Sequence, residues 1–599
     1  MAHKRRRVYF PMGQLVFSVP ESDDDPVEAV TTLITDVFEI EREEQKWTQL
    51  FAELTAKYAE KTASYAEKTE SYADKTGEED HKPGVLTDRF RETAGNFFQN
   101  PTYQQQMTAQ IATDRTRAIG QFNFVFFESS ADYQELHEVL TVEDRNDHQA
   151  ANEAEALLFY ISAVFAIAAK ERPIQVSPNW FFGGSQGQII SGGPGGLPVP
   201  PDNPHPDHVF TPHGHPDPEQ QGQVSAYKGQ GTAAQDMHIY VLDTIPEQSI
   251  LQAVIANNTF ATNPLIAELL AEWTPVGERI QTSDYLDLEY YTEFNPEFND
   301  PDYGIECVPY DLADHGLFIA GLIHSVLRPA EKLCRPRIHL IQALNEMGAG
   351  TLKSIIWAIN RVAEYLHPEQ LAIVNCSFRL SFHLDSCLDD AVVEPCADPV
   401  ELPFDFLENW MCVVIDVTKQ NETGTVADLF AVLTARGIMV CAAAGNDTLQ
   451  DQPGPHQFAS TPYPAAFDQV LGIGALGKNM KPAVYTNIPD KADPLEGYWA
   501  FGGEVDPHKH SDNLSRASRQ KGIIGIYTRP FYLVSGEKND TGWAAWAGSS
   551  FATGVATGYF ARYLCRQARI PDLPKLADVD PAFGAPELNR PVIPLKQGH

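Results

Sequence analysis

Met237-His-Ile-Tyr-Val-Leu-Asp243-Thr244 is the stretch on which the reading of this chain turns. His238 to Asp243 is a strand candidate that delivers an acid at its C-terminal end, where open α/β sheets place their sites. Working outward, Leu371 to Ser377, Ile438 to Ala443 and Val470 to Ala475 repeat the pattern as short apolar runs bounded by turn residues. Between them, Thr351 to Leu366, Val426 to Arg436 and Ser550 to Arg566 carry helical periodicity. Strands alternating with helices imply an α/β fold, a parallel sheet flanked by helices.

Four segments in this half of the chain carry candidate chemistry. The first is Ile239-Tyr-Val-Leu-Asp243-Thr244; alone, its Asp243 also reads as a helix cap. The second is Asp314-His315-Gly-Leu-Phe-Ile-Ala-Gly321, where His315 opens a helix whose small residues permit close packing. In isolation His315 reads more readily as a plain N-terminal or core histidine than as a catalytic one. The third, Ile438-Met-Val-Cys-Ala-Ala-Ala-Gly445-Asn446-Asp447, ends a small-residue strand in Gly-Asn. That pair reads either as a turn or as a side-chain amide aimed at an oxyanion. The fourth is Gly548-Ser549-Ser550-Phe551-Ala552-Thr553-Gly554. A serine at a helix start is usually an N-cap, and it also sits where free N–H groups favour negative charge.

In this order and spacing, Val-Leu-Asp-Thr, His-Gly-x-x-x-Ala-Gly, Ala-Ala-Gly-Asn and Gly-Ser-Ser-Phe-Ala resemble the catalytic blocks of subtilisin-like serine proteases, the subtilases of peptidase family S8. Val374-Asn-Cys-Ser377-Phe378 resembles that family's substrate-binding strand, and Tyr463 to Ala475 its strand after the oxyanion block. The resemblance spans about 237–570. It implies a triad of Asp243, His315 and Ser550, an oxyanion hole completed by Asn446, and substrate contacts at Ser377, Phe378, Arg379, Ala443 and Gly445. No cofactor enters that chemistry. Structural calcium is common in the family, but no dense oxygen-ligand motif assigns a site here. The chain departs from the family at Ile245, Phe318, Ser549 and Phe551, none of which removes a catalytic group. A sedolisin-type site would carry Glu in place of His315. A catalytically silent scaffold of the same fold is the rival reading, and the complete set of four blocks weighs against it.

Composition sets the surroundings. With 81 acidic and 44 basic residues the net charge is −37, which disfavours nucleic acid as a partner; a protein or peptide substrate is what the resemblance implies. No apolar run reaches membrane-spanning length. The start of the chain carries no secretory signal pattern, so a cytoplasmic enzyme is expected. The eight cysteines, Cys307 to Cys565, form no CxxC pair and are expected mostly reduced, with Cys376 and Cys441 as core fillers.

Residues 1–182 read as a separate, smaller α+β region: strand Gln14 to Val19, helix Asp25 to Phe38, strand Phe122 to Glu128, helix Ala154 to Lys170, then extended Ile174 to Phe182. Within it, Tyr58, Tyr65 and Tyr72 head a heptad repeat, an exposed helical arm over about 40–80, with a partner-docking helix as the alternative. Lysines at 61, 68 and 75 argue against a coiled-coil seam. Residues 183–236 are rich in Gly, Pro and His and read as a linker, its histidines as part of a flexible tract. A Pro-rich tail follows at 571–599. Many members of the family that the chain resembles carry an N-terminal inhibitory prodomain, and the order of these pieces fits one, with a permanently attached recognition domain as the alternative.

Overall fold

A computed structural model describes residues 14–42, 116–128, 174–184, 235–294, 312–327, 334–380, 425–448, 461–503 and 522–567, apart from short gaps. The heptad arm beyond Arg42, the helix expected over 154–170, most of the linker, the acid-rich 381–424 stretch and the C-terminal tail lie outside these residues.

The chain forms two compact units. In the smaller, β1 (Gln14–Pro20) is followed by α1 (Pro26–Arg42), β2 (Thr116–Ile119), β3 (Phe122–Glu128) and β4 (Gln175–Pro178). The sheet runs β2-β3-β1-β4 and every neighbouring pair is antiparallel. Asp25 starts α1 by accepting from Val27 N through its side chain and from Ala29 N through its carbonyl. Val30, Leu33, Ile34 and Val37, spaced at helical period, are its buried stripe. Ser18, buried in β1, donates to buried Asp428 (3.1 Å).

The larger unit opens with β5 (Phe181–Gly184) and β6 (Gln235–Asp243), then α2 (Gln248–Asn257), α3 (Pro264–Leu269), β7 (Thr274–Val276), β8 (Arg279–Gln281) and β9 (Leu286–Glu289). It continues with α4 (His315–Leu327), β10 (Cys334–Gln342), β11 (Ala349–Thr351), α5 (Leu352–Tyr365), β12 (Leu371–Cys376), β13 (Phe378–Leu380) and, from Phe430 on, α6 (Thr425–Ala435), whose residues up to Leu429, Asp428 among them, belong to the smaller unit. Last come β14 (Met439–Ala443), β15 (Leu471–Leu476), β16 (Tyr498–Phe501), β17 (Ile523–Ile526), β18 (Trp543–Trp546) and α7 (Ser549–Gln567).

Nine strands form the main sheet in the order β16-β15-β14-β12-β6-β10-β9-β8-β7. From β16 to β9 the pairs are parallel; the edge pairs β9–β8 and β8–β7 are antiparallel. The sheet is therefore mixed, which the alternating pattern alone did not foresee. Its two faces separate by residue parity along β6. Ile239 and Val241 join α4 and α7 in one core, and Tyr240 stacks on His339, which in turn stacks on Tyr365 of α5. No helix among the described residues is long and apolar enough to cross a membrane.

One boundary needs correction. Gly183 and Gly184 do not start the linker but end β5, which pairs on both sides. Cys334, opening β10, is disulfide-bonded to Cys565 near the end of α7, with Cα atoms 5.8 Å apart, one bridge in a chain whose eight cysteines are expected mostly reduced. Cys376 and Cys441 are free and buried, and burial pushes the Cys441 thiol up to about 12, as expected of inert core fillers. The bridge closes a loop across 231 residues. By chain entropy, its removal is expected to cost roughly 2–5 kcal/mol. Cys334→Ser should lower Tm by several degrees, and peptide mapping without reductant should recover the 334–565 linkage; two free thiols there would refute it.

Candidate active site

Parallel register brings the candidate residues together. β12 pairs with β6 (Cys376 opposite Leu242) and with β14 (Cys376 opposite Ala442). Their C-terminal ends therefore lie side by side, presenting Asp243, Ser377 and the Gly445–Asn446 turn along one rim of the sheet. Helix α4 begins at His315 and α7 at Ser549, and the two helices pack together beneath that sheet.

His315 Nδ1 lies 2.7 Å from Asp243 Oδ1, and both side chains are buried. With a carboxylate as the partner, Nδ1 is assigned the proton and donates. The same Oδ1 accepts from Thr244 N (2.7 Å), so two donors fix the carboxylate. His315 Nε2, also buried, has no hydrogen-bond partner among the described residues. The imidazole is boxed by the ring edges of Trp546 (5.7 Å, 82°) and by Phe551 (5.3 Å). Gly316 is a consequence of this closeness: a Cβ there would run into the Thr244 carbonyl and lie 2.9 Å from Asp243 Cβ.

Asn446 follows Gly445, whose φ of +102° favours glycine. The Asn446 Oδ1 accepts from Ser549 N (2.9 Å). That bond fixes which way the amide is flipped and turns Nδ2 away from the Ser549 amide. Gly445 N donates to Ser549 Oγ (3.1 Å), and the Gly445 carbonyl accepts from Asn487 N (3.0 Å). Ser550, the second residue of α7, is fully buried. Its backbone is tied to the end of β12 through Ser377, a residue expected on the substrate side. Ser377 Oγ lies within donating reach of Ser550 O (3.4 Å) and Asn375 Oδ1 (3.0 Å), while Asn375 Nδ2 donates to Thr557 Oγ1 (2.9 Å). Buried Asn375 and Thr557, 182 residues apart, were legible only once strand and helix had met.

Of the expected substrate contacts, Phe378 and Arg379 lie on β13, opposite Gly184 and Gly183 of β5. On its other edge β5 pairs antiparallel with β11, Ala349 opposite Gly183 and Thr351 opposite Phe181. Ala443 lies inside the main sheet opposite Ile473. Among the described residues no group of three or more His, Cys, Asp or Glu is placed to hold a metal ion.

Residues 235–572 match the sequence model of the Subtilase family, Peptidase S8. The match covers more than half of the chain, which therefore belongs to that family. No curated protein matches it. Solved structures similar to it include the prenylagaramide maturation protease PagA (17% identity, 55% of this chain and 76% of that one, TM-score 0.28). Others are a mutant of the protease domain of PatA (15%, 57% and 83%, 0.29) and the nisin leader peptidase NisP from Lactococcus lactis (16%, 60% and 86%, 0.32).

The packing at Gly316 yields a direct test. Gly316→Ala is expected to force α4 away from β6 and to destabilise the larger unit by roughly 1–3 kcal/mol. A thermal melt reads this as a lower Tm; an unchanged Tm would mean that the turn at Thr244 yields freely.

Proposed function

We propose that this subtilase is a serine endopeptidase acting through Asp243, His315 and Ser550. Ser550 Oγ attacks the scissile carbonyl carbon and His315 Nε2 takes the hydroxyl proton. The tetrahedral oxyanion is held by Asn446 Nδ2 and Ser550 N–H. Collapse breaks the C–N bond, His315 returns the proton to the leaving amine, and an acyl-enzyme ester remains for water to hydrolyse. Asp243 holds the proton on Nδ1 and stabilises the imidazolium that forms while Nε2 carries the serine proton. The observation that carries this reading is the buried 2.7 Å Asp243–His315 bond on the sheet rim that also bears Asn446. A side-chain oxyanion donor is typically worth roughly 3–4 kcal/mol in the transition state. Ser377, Phe378, Arg379, Ala443 and Gly445 are the residues assigned to the substrate side. No cofactor enters the scheme.

A silent subtilase-fold scaffold is the competing reading, and the unpartnered His315 Nε2 is the observation in its favour. Nucleophile–base bonds are often unmade before substrate binds, so that observation is compatible with an active enzyme. Labelling of the full chain by a fluorophosphonate separates the two. Adduct formation at Ser550, lost in Ser550→Ala with the fold retained, is the expected result. No labelling of the wild type, intact or cut in the linker, would leave the scaffold reading.

The N-terminal region is proposed to restrain this activity. Its support is β5, which lies antiparallel between β11 and β13 as an extended peptide bound by β-augmentation does. While Phe181–Gly184 holds that place, a substrate cannot pair with Phe378–Leu380. Cutting within 185–234 and removing the N-terminal fragment should raise hydrolysis of a short peptide substantially. An unchanged peptide rate with slower cleavage of a protein substrate would make the region a recognition domain instead.

A further inference from the structure

Asp314, immediately before His315, is a fully buried carboxylate whose hydrogen bonds all leave its own helix. Thr528 N and Arg529 N (3.0 Å) donate to Oδ2, and Thr528 Oγ1 lies 2.8 Å from Oδ1. Acids at a helix start ordinarily cap the first turn. Here early donors of α4 are met elsewhere, His315 N by the Leu312 carbonyl (2.8 Å) and Gly316 N by Thr244 Oγ1 (3.2 Å), and the carboxylate is not spent on capping. Burial of a carboxylate costs free energy that a plain cap would avoid. It pushes Asp314 up to about 6, against the pull of these donors.

The turn it grips leads to the other side of the imidazole. Thr528 and Arg529 follow β17. Asn539 Nδ2 donates to Tyr527 O (2.7 Å) and Arg529 O (3.0 Å), closing the connection towards β18, which ends at Trp546 against the His315 ring. On the opposite flank, Thr244 Oγ1 accepts from Gly316 N (3.2 Å) and lies 2.9 Å from the carbonyls of Leu312 and Ala313. His315 is thus clasped between the residue that follows Asp243 and the residue that Asp314 holds.

We propose that Asp314 is a positioning residue for the proposed reaction: by clamping the Thr528–Arg529 turn to the start of α4, it fixes the His315 imidazole between Asp243 and Trp546. This rests on the triad reading, and the test keeps the two apart. Thr528→Ser keeps the hydroxyl that meets the carboxylate; Thr528→Val removes it at nearly the same size. Asp314→Ala removes the clamp altogether.

Two readouts apply to each full-length variant. The first is kcat and KM for a peptide. The second is the low-field proton resonance of the His315–Asp243 bond, which exists whether or not the enzyme turns over. The expectation is that Thr528→Ser resembles wild type in both. Thr528→Val and Asp314→Ala should lose or broaden the resonance and lower kcat by roughly 10–10²-fold with KM little changed, as misplacement of a reacting group does. Equal behaviour of Thr528→Ser and Thr528→Val, or a resonance unchanged in Asp314→Ala, would overturn the proposal. If wild type lacks activity and Ser550 labelling, the protease reading fails while the resonance still decides the role of Asp314. Should Asp314→Ala not fold, the Thr528 pair carries the test.

Discussion

Two groups that water would ordinarily solvate, a carboxylate and an imidazole, are sealed together where β6 meets α4, and the rest of the larger unit is arranged to keep them there. Burying Asp243 is compensated in part, because Thr244 N and His315 Nδ1 both donate to its Oδ1, while Oδ2 is buried with no partner among the described residues. That requirement propagates outward. His315 must start a helix, the helix must approach β6 closely, and residue 316 must lack a side chain. The aromatic box of Trp546 and Phe551 then excludes water from the ring, which strengthens the bond it surrounds.

Parallel strands supply the second half of the arrangement. Because β6, β12 and β14 run in the same direction as neighbours, their ends deliver an acid, a hydroxyl and an amide to one rim without any long loop having to position them. The bonds Ser549 N to Asn446 and Ser377 to Ser550 O sew the start of α7 to that rim. The disulfide from Cys334 to Cys565 anchors the other end of α7 to the beginning of β10. A helix tied at both ends to one sheet is a rigid carrier for the residue at its start, and rigidity is what a preorganised site needs.

Strands β12, β14 and β15 and helices α5, α6 and α7 were legible in the sequence to within a residue, and β6 to within three at its start, because apolar runs such as Leu371–Cys376 bury every residue and have no competing local reading. The edge was not. Thr274–Val276 is exposed and Arg279–Gln281 half-buried, so neither shows an apolar run, and both are strands only through their neighbours. In β10, charged Arg335 and Arg337 interrupt the pattern; Arg335 is satisfied by Asp236 on β6. Phe181–Gly184 ends in two glycines, which read as linker, and becomes a strand because β11 and β13 pair with it. Asp243, His315, Asn446 and Ser550 could be named because each sits in a local block. Asn375, Thr557, Asp314 and Thr528 could not, since their meaning lies in partners 182 and 214 residues away.

The claim that most needs a direct measurement is that these side chains form one reactive centre. A structure of the full chain carrying a phosphonate on its reactive serine measures it. The account predicts phosphorus bonded to Ser550 Oγ, the phosphonyl oxygen within hydrogen-bonding distance of Asn446 Nδ2 and Ser550 N, and His315 Nε2 turned to the adduct with its Asp243 bond intact. A phosphonate on another residue, or a phosphonyl oxygen facing solvent away from Asn446, would contradict it.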